Sequence, residues 1–182
     1  MRQVAILIML LAAASATAAQ TVSPPVPGFH TGAHVLAPCR GADLSARHVE
    51  DDAAMGGHNI STYALRNNAA SPCTLKGYPR FELLNKAGKL MPRGQAVNSR
   101  QVPGDETPGP PELITLESGK EAVFIVYYHS GGAGYLGQPC PTAHKVGITA
   151  PETTRTFILN DQMISSCGKV QVSGIRKSTG VD

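Results

Sequence analysis

Residues 121–130, EAVFIVYYHS, constrain the fold more than any other part of this chain. The run is rich in β-branched and aromatic side chains, which suit a pleated, half-buried surface. Alternation places Val123, Ile125 and Tyr127 on one side and Phe124, Val126 and Tyr128 on the other. A strand apolar on both sides belongs in the middle of a sheet, with one face on a core and the other partly covered. The rest of the chain is punctuated in the same sense. Its 182 residues include 19 Gly and 14 Pro, and both types oppose long helices, which argues against a helix bundle.

The same period-two pattern recurs on both sides of this segment. ADLSARHV (42–49) alternates weakly and predicts a first strand, with Glu50 to Gly57 as a turn or short helical excursion. NISTYALRNN puts Tyr63 and Leu65 on one face of a second strand, and Asn67-Asn68 with Ser71-Pro72 signals a turn. In RFELLN, Phe81 and Leu83 share a buried face, and Asn85 to Lys89 has the polar, Gly-bearing chemistry of a hairpin connection before Leu90 and Met91. Four prolines, at 103, 108, 110 and 111, remove ladder donors, so residues 98–111 read as a long exposed loop. Leu113 to Leu116 is a short strand. A Gly-rich loop spans 131–137, and KVGITAP, TTRTFILN and KVQVSGI supply the last strands. About seven to nine short strands with Gly and Pro turns predict an all-β, antiparallel sandwich.

The first twenty residues, MRQVAILIMLLAAASATAAQ, combine one basic residue, an apolar run from Val4 to Ala14 and a small-residue stretch. This is the pattern of a secretory signal, and the run is shorter than the ~20 residues a membrane span needs. The expected organisation is a signal segment at 1–19, a Pro/Gly-rich leader at 20–38, a β domain at 39–177 and a tail at 178–182. All four cysteines, Cys39, Cys73, Cys140 and Cys167, follow the signal. In an oxidising compartment they imply two disulfides, of which three connectivities exist. The close pairs of a four-thiolate zinc site are missing. The expected location is periplasmic or secreted, with no integral membrane insertion after cleavage.

Sites for chemistry are sparse. Gly132 to Gly137 matches G-x-G-x-x-G, but Gln138-Pro139-Cys140-Pro141 follows and forbids the helix that a dinucleotide site requires. His30 and His34 stand four apart in the leader, but Pro27, Gly28 and Gly32 argue against a helix that would put them on one face. They read as solvent-exposed side chains, with a weak copper or divalent-metal role as the alternative, and no metal and no cofactor is expected. A Cys–His pair would need a free thiol, which disulfide formation removes. Glu50, Asp51 and Asp52 read as a surface acidic cluster. A formal charge of +3 with scattered arginines leaves no footprint for nucleic acid.

Several stretches together resemble a family of exported bacterial β-sandwich proteins described as domain of unknown function 4232. The residues are Cys39, Leu44, Ala53-Ala54-Met55-Gly56-Gly57, Leu65-Arg66-Asn67 and, most specifically, Pro72-Cys73-Thr74-Leu75-Lys76-Gly77-Tyr78-Pro79 with Phe81. Later matches are Leu116 to Gly119, Ala122, Phe124, Cys140, Ile148 to Pro151 and the segment from Cys167 to Ile175. The resemblance implies an immunoglobulin-like sandwich with bridges Cys39–Cys73 and Cys140–Cys167, and it carries over no enzymatic residue. Many relatives look lipid-anchored, whereas no acceptor Cys follows the signal segment in this sequence. Each closure would stabilise by about 3–4 kcal/mol in the chain-entropy model.

The expected function is a non-catalytic module that presents loops to an envelope or extracellular protein or a glycan, its oligomeric state open. Asp105 and Glu106 on one loop, and His129 and Tyr135 at and beyond the end of the central strand, are the candidate contact residues. The alternatives are an exported hydrolase or redox enzyme, or a structural envelope component. A pocket joining two or more of His129, His144, Asp43 and Glu50 would favour the enzyme.

Overall fold

The computed structural model describes residues 35–54, 56–131 and 139–178. The chain divides into two units, Met1–His34 and Val35–Asp182, and the description concerns the second. The signal segment, its cleavage position, His30 and His34, the glycine motif with Tyr135, most of the leader and residues 179–182 lie outside the described residues.

A short 3-10 turn at Gly41–Asp43 leads into twelve strands among the described residues. They are β1 (Leu44–Ala54), β2 (His58–Asn67), β3 (Cys73–Leu75), β4 (Arg80–Leu84), β5 (Leu90–Gln95) and β6 (Val97–Asn98). After them come β7 (Ile114–Leu116), β8 (Glu121–His129), β9 (Thr142–Thr149), β10 (Thr156–Ser165), β11 (Gln171–Val172) and β12 (Arg176–Lys177). A six-stranded sheet runs β1-β2-β8-β11-β6, with β12 also on β8; a four-stranded sheet runs β10-β9-β4-β5; β3 and β7 form a pair. The domain is all-β, and no described helix is long and apolar enough to cross a membrane.

The central strand lies where its composition places it. β8 sits between β2 and the β11/β12 edge, with Ala122, Phe124, Val126 and Tyr128 buried and Val123, Ile125 and Tyr127 half-buried on the opposite face. Tyr63 and Phe124 from the six-stranded sheet and Phe81 from the four-stranded sheet meet in one core, with ring centroids 5.1 to 6.5 Å apart. Offset and edge contacts of this kind add to the apolar area they bury. The bridges join Cys39 to Cys73 and Cys140 to Cys167, as the family resemblance implies. Asn85 closes the β4–β5 hairpin, its side chain accepting from the Lys89 amide.

Three expectations are corrected. The sheets are mixed rather than purely antiparallel, because β11 runs parallel to β6 through Gln171–Val97 and Val172–Asn98. Glu50 to Ala54 is strand, not turn or helix, because β2 pairs with it to the hairpin end after a bulge between His48 and Glu50. KVQVSGI is not one strand: the Ile125 amide donates to the Ser173 hydroxyl instead of a backbone carbonyl, separating β11 from β12. In each case long-range pairing overrides local propensity.

Candidate functional site

Residues 99–113 form the long, mostly exposed loop that the prolines predict, but it begins one residue later than expected and is anchored to the second face of the six-stranded sheet at a few points. Asn98 already belongs to β6, and Val102 is 3% exposed. Gly104, at φ +79°, lies so close to Ile60 that a β-carbon there would collide with it. Asp105 turns inward: its carboxylate accepts from the Thr107 amide at 2.8 Å and pairs with Arg176 of β12, its side chain being only 4% exposed. Arg176 also donates to the Thr107 hydroxyl at 2.9 Å, and the Gly109 amide closes the loop on the Arg100 carbonyl at 2.8 Å. The prolines keep this segment out of a ladder and most of it in solvent, while Val102 and the Asp105 side chain tie it down.

Between this loop and the chain around β12 runs a groove of ≈ 600 Å³. Its walls combine Pro108, Pro110, Pro111 and Leu113 with Asp105, Arg176 and Lys177. Pro111 packs tightly on Gly174, where an added β-carbon would come within 2.8 Å of the proline ring. Of the loop residues singled out from sequence, Asp105 holds the loop in place, while Glu106 is exposed and available to a partner.

His129 ends β8 on the same sheet face. Its Nε2 donates to the Gly56 carbonyl at 2.8 Å, and its ring stands 5.0 Å from that of His58, its direct partner across the β2–β8 ladder. The Nδ1 of His58 is hydrogen-bonded to the Tyr127 hydroxyl. Gly57 makes this corner, at φ +81° and against the Ser130 carbonyl, so close that only glycine fits.

On the inner face, at the same end of the sheet, a second polar cluster forms. After the bulge in β1, Asp51 pairs with Ser61 and shares its face; its side chain stays 63% exposed, and its carboxylate meets His48 Nε2 at 2.9 Å and accepts from the Ser61 hydroxyl at 2.5 Å. Tyr63 donates to Gln162 at 3.1 Å. Burial first, and the Asp51 charge after it, pushes the Tyr63 phenol well above its ordinary range; burial raises Tyr128 too. Serine, histidine and aspartate are all present, but the serine donates to the carboxylate rather than to the imidazole and is wholly buried. Such a hydroxyl is not activated as a nucleophile, which needs an adjacent base.

At the far end of β1, Arg47 makes a bidentate pair with Glu121, at 2.8 and 2.6 Å, that holds the Glu121 carboxyl below its usual range. Asp43 is taken up by Arg40 at 2.7 Å. No hydrogen bond, ion pair or ring contact among the described residues joins any two of Asp43, Glu50, His129 and His144. Sequence reasoning passed over His58 and Arg176, and it read Asp51 as part of a surface acidic cluster, which is exposed, without its His48 and Ser61 partners; these pairings arise through tertiary contact, which no local pattern encodes.

A family model described as a domain of unknown function (DUF4232) matches residues 39–176. No curated protein and no solved structure matches the chain.

Proposed function

The chain belongs to the DUF4232 family, and on that premise we propose that it is an exported, non-catalytic recognition module. In this reading the domain is an immunoglobulin-like sandwich that takes a protein or glycan of the periplasm or extracellular space in the groove beside residues 105–113. The carrying observation is the pinned loop. The Asp105–Arg176 pair holds a proline-lined wall against a disulfide-bonded β framework, so the groove keeps its shape before a ligand arrives. A preorganised surface avoids much of the ordering cost of association. Its chemistry suits a mixed ligand, with proline and leucine offering apolar area, Lys177 and Glu112 offering charge in the lining, and the exposed Glu106 next in sequence to the lining residues Asp105 and Thr107. Export is supported by the signal-like residues 1–19 and by the disulfides, which persist in oxidising compartments.

Photo-crosslinking from the native envelope fraction tests the site. A reactive residue at Glu106 or Lys177 is expected to capture the same partner, while one at the exposed Lys86, in the β4–β5 hairpin, captures none. Equal capture at all three positions refutes the assignment.

A further inference from the structure

We propose that His58 and His129 form a two-imidazole site for a late first-row divalent metal ion, with copper(II) bound most tightly. The argument starts from register. The two residues are direct partners in the β2–β8 ladder, so their side chains leave the same sheet face side by side. Their ring centroids are 5.0 Å apart. A metal about 2.0–2.1 Å from an imidazole nitrogen lies about 3.2 Å from that ring's centroid. Two rings sharing such an ion at angles of about 90–110° therefore have centroids about 4.5–5.2 Å apart. The observed spacing falls within that interval.

The hydrogen bonds point the same way. Ligating histidines are usually oriented through the nitrogen that does not bind metal. His129 commits Nε2 to the Gly56 carbonyl, which leaves the Nδ1 lone pair of the neutral ring to bind an ion. In the metal-binding tautomer His58 Nδ1–H donates to the Tyr127 hydroxyl oxygen, which leaves the Nε2 lone pair. Each ring thus has one nitrogen held by a neighbour and one to offer. The inner-face histidine differs, since His48 Nε2 is engaged by Asp51. No group of three or more His, Cys, Asp or Glu converges among the described residues, and the proposed site rests on these two imidazoles. Two nitrogens and open positions suit copper(II) ahead of nickel(II) and zinc(II), following the general affinity order for such ligands.

The test is titration of the whole chain with copper(II) and, separately, nickel(II), followed by amide NMR and by calorimetry. Copper(II) is expected to broaden the amides of Asn59, Tyr128 and Ser130 saturably. His58→Gln and His129→Gln are each expected to weaken that binding about tenfold or more, and His144→Gln to leave it unchanged. An unaltered urea midpoint in each variant shows that the loss is not unfolding. Broadening confined to the segment containing His30 and His34 overturns the proposal, as does undiminished affinity in either single variant. Nickel(II) binding tighter than copper(II) overturns the metal preference.

Discussion

Replacing Asp105 tests whether one ion pair holds the loop that builds the groove. The carboxylate accepts from Arg176 and from the Thr107 amide, and its side chain is 4% exposed against 22% for Arg176. A hydrogen bond to a charged group contributes about 1.5–3 kcal/mol, and a neutral one about 0.5–1.5 kcal/mol. Arg176 keeps some water and the Thr107 hydroxyl, so abandoning it costs less than the ~3–5 kcal/mol of a fully buried broken pair. Asp105→Ala is therefore expected to destabilise the closed loop by about 2–3 kcal/mol. Asp105→Asn, which retains an acceptor for Thr107, should cost about 1–2 kcal/mol. The loop can lift without the sheets separating, so the loss should appear first as local opening. Hydrogen exchange at the Gly109 amide, bonded to Arg100, should accelerate by about 30- to 150-fold in Asp105→Ala, while the Val126 amide changes far less. A cycle with Arg176→Ala should show coupling above about 1 kcal/mol. Gly109 exchange within threefold of the parent, or coupling near zero, would show that the prolines and Val102 hold the loop without the ion pair.

Three other perturbations probe the scaffold. Gly57→Ala sets a β-carbon against the Ser130 carbonyl at positive φ and should cost about 2–3 kcal/mol, lowering Tm by roughly 6–12 °C; an unchanged Tm refutes the close approach. Phe124→Ala removes the ring that meets Tyr63 and Phe81 and should cost about 3–5 kcal/mol in urea unfolding, with a loss under about 1.5 kcal/mol placing the core elsewhere. The third concerns alkali. Tyr63 and Tyr128 ionise later in the folded than in the unfolded chain, so above pH ~10 the unfolded state binds fewer protons and stability falls as pH rises. That contribution is fully present below pH ~10. The double variant Tyr63→Phe/Tyr128→Phe should flatten the decline between pH 10 and 11, and an identical slope in parent and variant would contradict the burial of these phenols.

Much of the framework was legible because local chemistry and tertiary demand agree there. EAVFIVYYHS carries apolar groups on both faces, and β8 buries one face in the core and half-buries the other. Phe81 and Leu83 alternate inward, and the polar Asn85–Lys89 stretch makes the hairpin its residues favour. The acidic run misleads because Asp and Glu are poor strand formers on average. β2 nevertheless pairs with Glu50–Ala54, and the bulge before it sends Asp51 to the inner face, where His48 and Ser61 meet its charge. The loop was legible in outline, since its prolines exclude ladder bonds and most of its residues are exposed, but the burial of the Asp105 side chain depends on Arg176, 71 residues later in the chain.

The amino-acid order alone settled the all-β class, the position of the central strand and several turns, because side-chain shape, backbone restriction and alternation act over a few neighbouring residues. The bridge pairing became readable only through family resemblance. Tertiary structure decided which faces the polar groups occupy, the parallel β6–β11 contact, and the meeting of His58 with His129 across 71 residues. Those outcomes depend on strand register and bulges, where a shift of one residue exchanges the two faces of a strand. Register is selected by the packing of the whole core, and the groove and the paired imidazoles are its consequences.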